Sequence, residues 1–283
     1  MAIGDIIVGI DIGTSKVSTV VGEVNNFKQI EIICNTCCRC NGMAKGQIID
    51  GDAISIAISK TIREAEEIAN FKISSAYITI PGKYTTIVQN SVVKETKDRF
   101  DGISYKDVVS ALSSVKEIEM PDDEVLIDII PDKFILEDGK TVEDPVGSYC
   151  SSFTLMAQLI LADKDYIKKI TNICRRAGIE IDGIVPITLA ERNLVLDGSE
   201  MNDNVMILDI GAGNTEIGIF KGNSFIFNDT LPFGGDNITS DIAYVLNISK
   251  EEADKLKRQY GLALKSFIDN DNNIILNTYN GGD

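Results

Sequence analysis

The chain has 283 residues, 44% hydrophobic and 25% charged, enough for one large domain or two modest ones. With 27 basic against 43 acidic residues the formal net charge is −16, which sets it against unaided binding to nucleic acid or anionic lipid. Histidine and tryptophan are absent, which excludes Ser-His-Asp and Cys-His triads, His-ligated zinc and histidine general bases.

Apolar runs at residues 6–10, 18–24 and 30–34 predict three successive strands. The opening carries neither a basic segment nor a long apolar core, so a cytoplasmic chain without a signal peptide is expected. The longest uncharged stretch, residues 145–162, has an apolar part too short to cross a bilayer as a helix. Cys34, Cys37, Cys38 and Cys40 crowd the end of the third strand. Their spacing suits a thiolate metal site or a redox switch. Cys150 and Cys174 offer no second Cys-x-x-Cys pair, so free thiols are the expectation.

Ile54, Ile58, Ile62, Ala65 and Ala69 mark one face of a helix starting near Asp52, and residues 76–80 return to strand. Strands at 85–93, 124–130 and 153–161 surround a helix that Ser104 and Asp107 would cap, with Tyr105, Val108, Val109, Leu112 and Val115 on its apolar face. This strand-helix-strand-strand unit spans residues 83–162. Asp163 caps a further helix bearing Ile167, Ile170, Ile173 and Ala177 and closed by Gly178. A strand at 184–187 and a helix at 188–196 follow.

After Asp197-Gly198 the opening pattern returns: Asp209-Ile-Gly211-Ala-Gly213-Asn214-Thr215 behind an apolar strand repeats Asp11-Ile-Gly13-Thr14-Ser15-Lys16. Another strand is predicted at 216–220, and helices at 237–246 and 249–260. A strand-turn-strand unit repeated this far apart predicts two lobes of related α/β fold. In each copy, glycine lets the backbone approach a ligand closely and neighbouring amides can form an anion-binding nest. Thr14, Ser15, Asn214 and Thr215 add polar donors, and Lys16 adds a point charge suited to phosphate. Asp11 and Asp209, at strand ends, can hold Mg²⁺ through its retained water. Facing each other, the two turns would grip a polyphosphate from both sides. Neither a Walker A loop nor a dinucleotide fingerprint is present.

The paired turns resemble the phosphate motifs of the actin/Hsp70/sugar-kinase ATPase superfamily, and the finer resemblance is to the FtsA family of bacterial cell-division actin homologues. It rests on Val8-Gly-Ile-Asp-Ile-Gly-Thr-Ser-Lys-Val17 with Val21-Gly22-Glu23, Met43-Ala-Lys-Gly46, Ile129-Ile-Pro131 with Phe134-Ile135, Asp144-Pro-Val-Gly147, Arg176-Ala-Gly178 and Pro232-Phe-Gly-Gly-Asp-Asn-Ile-Thr-Ser-Asp-Ile-Ala243. The resemblance implies a two-lobed, ribonuclease H-like actin fold. Residues 1–82 and 163–196 would form the first lobe (1A), and residues 83–162 the inserted subdomain 1C, or SHS2 domain. It further implies ATP and Mg²⁺ as cofactors, with Gly234 and Gly235 near the nucleotide, Asp254 and Lys257 towards ribose and adenine, and Asn193 at the position that orients the attacking water. Hydrolysis, if any, would be slow.

The implied partners are the tubulin-like division protein FtsZ, further copies of the chain, and other division proteins through subdomain 1C. The implied site of action is the cytoplasmic face of the inner membrane at the division septum. Nothing like the family's adenosine turn follows Tyr260. The second lobe, residues 197–283, is therefore expected to be partial and to expose apolar surface, and the family's membrane-tethering C-terminal helix is expected to lie outside this chain. The rival readings are a small-molecule kinase on the same fold and a partner-docking module that binds no nucleotide.

Overall fold

The computed structural model describes residues 2–96 and 102–267. The last part of the expected second lobe, residues 268–283, lies outside the described residues. Strands β1 (Ile6–Ile12), β2 (Lys16–Val24) and β3 (Ile30–Arg39) form an antiparallel meander. β3 runs past its expected end at Cys34 because Thr36 points inward and donates to the Thr61 carbonyl (2.9 Å). The crowded cysteines therefore lie along and just beyond a paired strand, with Cys34 and Cys40 buried and Cys37 exposed. A short hairpin, β4 (Met43–Ala44) and β5 (Gln47–Ile48), leads into α1 (Gly51–Ala69). Asp50 caps that helix by accepting from the amides of Asp52 and Ala53, satisfying two of its orphan donors. Strand β6 (Ser75–Ile80) then lies parallel beside β1.

The chain next leaves this lobe. Strand β7 (Thr85–Glu95), helix α2 (Tyr105–Val115) and strands β8 (Glu124–Leu136), β9 (Thr141–Val142) and β10 (Ser152–Asp163) make a four-stranded antiparallel sheet, ordered β7-β10-β8-β9, with α2 packed on it. The Ser104/Asp107 capping box expected from the sequence is formed. Helix α3 (Lys164–Arg176), capped by the Asp163 carboxylate, brings the chain back. Strand β11 (Glu180–Pro186) pairs parallel with β6 and completes the first sheet, β11-β6-β1-β2-β3. Its core is largely the inward residues of β1, β2 and β6 against Ile54, Ile58 and Ile62 of α1 and Ile170 and Ile173 of α3.

Helix α4 (Ile187–Val195) crosses to the second lobe. There β12 (Asn204–Ile210), β13 (Thr215–Lys221) and β14 (Ser224–Leu231) repeat the β1-β2-β3 meander, followed by α5 (Gly235–Leu246) and α6 (Lys250–Tyr260). β14 was not expected from the sequence. Its outer side and that of β12 leave Met206, Leu208, Ile210, Ile226 and Phe227 exposed. A third apolar cluster joins the parts: Ile160 of β10 packs with Ile207, Phe220 and Phe225, and Ile87 and Ile130 close over it. The inserted sheet is thereby seated on the second lobe through residues whose burial is each worth about 1.5–3 kcal/mol.

Candidate functional site

The two repeated turns are the same structure. In the first, the Gly13 amide donates to the Lys16 carbonyl (2.9 Å); in the second, the Gly211 amide donates to the Asn214 carbonyl (2.9 Å). Each closes a two-residue hairpin, Thr14-Ser15 and Ala212-Gly213, and the same count places Ser18 opposite Asp11 and Glu216 opposite Asp209.

The turns meet tip to tip. Thr14 Oγ1 lies 3.3 Å from Asn214 Oδ1, and a Cβ on Gly213 would fall 2.7 Å from Thr14 Cγ2. Only glycine fits there, and its lack of a side chain sets the approach of the lobes. Behind the tips, Asp11 and Asp209 share one electrostatic environment. Burial raises the Asp209 carboxyl above its ordinary pKa, and the charge of Asp11 raises it further. Asp11 Oδ1 accepts from the Thr79 hydroxyl of β6 (2.8 Å).

Glu191 of α4 joins this pair. Burial first, then the charges of Asp209, Asp11 and Glu216, push its carboxyl up to about 7. The helix is held in this orientation by Arg192, which donates to the Gly222 carbonyl (2.8 Å), and by Thr188 Oγ1, which contacts Asn228 Oδ1 (2.9 Å). Asn193, the residue to which the resemblance assigned the attacking water, is exposed on α4. Two positions along a helix turn a side chain through about 200°, so Asn193 faces away when Glu191 faces the carboxylates.

The remaining expected residues divide into two groups. Ser15 and Lys16 are exposed at the first turn, free of the packing that encloses the second. On the second turn the side chains are already engaged. Asn214 Nδ2 donates to Glu216 Oε1 (2.5 Å), and Thr215 Oγ1 donates to the Phe233 carbonyl (2.8 Å). Gly234 and Gly235 sit directly behind this turn. The Gly235 amide donates to Gly211 O (2.9 Å) and the Asp236 amide to Ala212 O (2.7 Å), while a Cβ on Gly234 would lie 2.5 Å from the Ala212 oxygen. Lys257 supports the glycine pair: its Nζ donates to the Gly235 carbonyl (3.0 Å) and Thr239 Oγ1 (2.7 Å) and pairs with Asp254 (3.2 Å). Asp254 also takes a bond from Arg258 (2.7 Å), which leads in holding its carboxyl below the usual range. In this structure Lys257, paired with Asp254, thus braces the back of the second turn.

Glu216, Glu191 and Thr79 were not singled out from the sequence. Glu216 had a signal: alternation along Glu216-Ile-Gly218-Ile-Phe220 puts it on the same face as the buried Phe220. Among the described residues no three carboxylates or thiols come close enough to hold a metal ion directly, so any cation at Asp11 and Asp209 would keep most of its water.

Two family models match the chain. One, described as cell division protein FtsA, matches residues 206–283, and the other, the SHS2 domain inserted in FtsA, matches residues 82–161. Between them they take in more than half of the sequence. FtsA of Escherichia coli strain K12 is 28% identical over 269 residues, 95% of this chain. FtsA of Bacillus subtilis strain 168 is 30% identical over 259 residues, 92% of this chain. The chain belongs to the FtsA family. It spans 64% of the length of the E. coli relative and 59% of that from B. subtilis. Among solved structures, a chain of the PilM–PilN type IV pilus biogenesis complex aligns with a TM-score of 0.60 at 18% identity, covering 90% of this chain and 70% of that one. The ethanolamine utilization protein EutJ from Carboxydothermus hydrogenoformans aligns with a TM-score of 0.52 at 15% identity, covering 90% and 62%. These are likenesses of fold, and with the inserted domain they make the architecture the two-lobed, actin-like one.

Proposed function

We propose that this chain is the nucleotide-holding and partner-docking part of an FtsA-type division scaffold. The observation that supports this most directly is the meeting of the two turns, behind which Asp11 and Asp209 feel each other's charge and could serve one ligand. The groups at the turns suit a triphosphate: the tip amides of both turns, the Ser15 hydroxyl and the exposed Lys16, joined by the Thr14 hydroxyl if it exchanges Asn214 for the ligand. Opposite them the carboxylate pair suits a hydrated Mg²⁺, the ion that would neutralise the phosphates and keep them from repelling these side chains. Asp11 and Asp209 would orient its water ligands.

A carboxyl with a pKa near 7 is matched to accepting a proton from water at neutral pH, a task an amide such as Asn193 cannot perform. Glu191 therefore stands beside Asn193 as a second candidate for handling the attacking water, for a slow ATPase. Family membership supports the rest of the reading: association with FtsZ and with other copies of the chain, further division proteins docked on residues 82–161, and action at the membrane when the full-length protein carries its tether.

The test is thermal unfolding of the protein with and without ATP-Mg²⁺. At a ligand concentration about a hundredfold above Kd, the midpoint is expected to rise by about 4–8 °C. The doubly substituted Asp11→Ala, Asp209→Ala protein should show no rise. An unshifted wild type would reject the nucleotide reading. Co-sedimentation with FtsZ tests the scaffold reading, and phosphate transfer to a sugar or carboxylate in its place would favour the kinase.

A further inference from the structure

Glu216 is only 1% exposed, and a carboxylate so placed must be fully supplied with donors. It has three. Oε2 accepts from the Gly82 amide (2.8 Å) and the Thr230 hydroxyl (2.7 Å), and Oε1 accepts from Asn214 Nδ2 (2.5 Å). The donors come from three different parts of the molecule. Asn214 is on the second turn, Thr230 is on β14, and Gly82 is the residue from which the inserted unit departs.

The chain of contacts extends at both ends. Thr14 of the first turn reaches Asn214, and the Lys83 amide donates to Thr230 Oγ1 (3.0 Å). An unbroken polar path therefore runs from the tip of the first turn to the peptide at the root of the insertion. That root lies flush against β14, since a Cβ on Gly82 would fall 2.7 Å from the Asp229 nitrogen. Further out, the buried Gln158 of β10 clasps the Phe225 peptide, donating to its carbonyl (2.8 Å) and accepting from its amide (2.7 Å). Movement at the root is consequently shared by the whole inserted sheet.

The other hairpin provides an internal control. The position equivalent to Glu216 is Ser18, opposite Asp11, and among the described residues no such side-chain link leaves it. Placing a carboxylate opposite Asp209 costs like-charge repulsion across the strand pair, a cost that filling space alone would not require. The Thr14 hydroxyl has a single proton. If it donates to a bound phosphate oxygen it cannot also donate to Asn214 Oδ1, and the Asn214 amide is then free to turn, changing what it offers Glu216.

Resting on the nucleotide reading above, we infer that Glu216 is a positioning residue that couples occupancy of the two turns to the seating of the inserted SHS2 unit at Gly82 and Lys83. By linkage the coupling runs both ways: a partner that shifts the insertion changes the affinity of the turns for their ligand.

The experiment is hydrogen–deuterium exchange at the Gly82 and Lys83 amides with and without saturating ATP-Mg²⁺, with ATP binding measured separately by equilibrium dialysis. In the wild type the exchange rate at these amides should change by about fivefold on binding, the lower end of ordinary coupling between sites. Glu216→Ala should still bind ATP but lose this ligand-dependent change. Glu216→Gln should keep the Gly82 and Thr230 bonds through its amide oxygen and still bind ATP, yet it too should lose the change, because Asn214 must turn its oxygen to the new amide and its Nδ2 to Thr14, which no longer has to choose where its proton goes. Should Glu216→Ala fail to fold, the near-isosteric Thr230→Val must reduce the ligand-dependent change at Lys83. If the wild type binds ATP while exchange at Gly82 and Lys83 stays constant, or Glu216→Ala responds like the wild type, the coupling is refuted and the nucleotide reading stands. If dialysis finds no ATP bound to the wild type, both fall together.

Discussion

The two hairpins share a backbone yet use their side chains in opposite ways. The first turn leaves Ser15 and Lys16 in solvent and commits only Thr14, and that to the other turn. The second turn commits Asn214, Thr215 and Glu216, and α5 and α6 close over its back through Gly234, Gly235 and Lys257. The difference shows how one motif can be divided between tasks. A turn whose side chains are free can serve a ligand, and a turn whose side chains are bonded inward can pass on what the ligand does.

The most disruptive way to break this arrangement is Gly213→Ala. The new Cβ would collide with Thr14, so the turns must part, at an expected cost of about 1–3 kcal/mol in chemical denaturation and with loss of the ATP-dependent rise in melting temperature. Adding Thr14→Ala, which removes the two nearest atoms, should recover part of the stability. Full stability in Gly213→Ala alone would mean that the tips do not touch.

Next in size is Glu191. Its carboxyl is raised in the folded state, so its contribution to stability is fully present below the unfolded pKa and is lost as pH rises through about 7. After allowance for solvent screening of a half-exposed group, Glu191→Gln should be more stable than the wild type by about 1 kcal/mol at pH 8 and equal to it near pH 4. Melting curves across that range check the sign, and a variant less stable at pH 8 would contradict the crowding of carboxylates. ATP affinity should likewise improve as the wild type is taken from pH 8 to pH 6, and Glu191→Gln should flatten the dependence.

The smallest structural effect is expected at the open turn. Ser15→Ala and Lys16→Ala should each change stability by less than about 0.5 kcal/mol, as exposed positions do. Lys16→Ala should nonetheless weaken ATP binding by about tenfold, the loss of one charged phosphate contact. If Lys16→Ala costs stability but not affinity, the division of labour between the hairpins is reversed.

Much of this was legible in the sequence. The repeat could be read because a tight acidic turn between two strands restricts residue types: glycine where backbones approach, small polar residues at the tip. The inserted unit was legible from its Ser104/Asp107 cap and its apolar strands. β14 was not, because Asn228 and Asp229 interrupt its alternation; they are accommodated by contacts to Thr188 and Thr85 and by a local hydrogen bond, which only the folded chain provides. Glu191 was passed over for a similar reason. On a helix it reads as one more solvated charge, and only the approach of two strand ends distant in sequence makes it a half-buried one among other carboxylates. Asp254 and Lys257 were singled out as a pair three apart on one helix face, but spacing alone does not show that Lys257 bonds inward to Gly235 and Thr239.

The third apolar cluster has a practical consequence. Because Phe220 and Phe225 are buried partly beneath Ile160, Ile87 and Ile130, some of the hydrophobic interior of the second lobe is contributed by the insertion. The SHS2 unit is therefore not a removable cassette. Excision at its borders would strip the stacked Phe220–Phe225 pair of its cover, whereas a graft confined to the far end, around α2 and β9, would leave that joint whole.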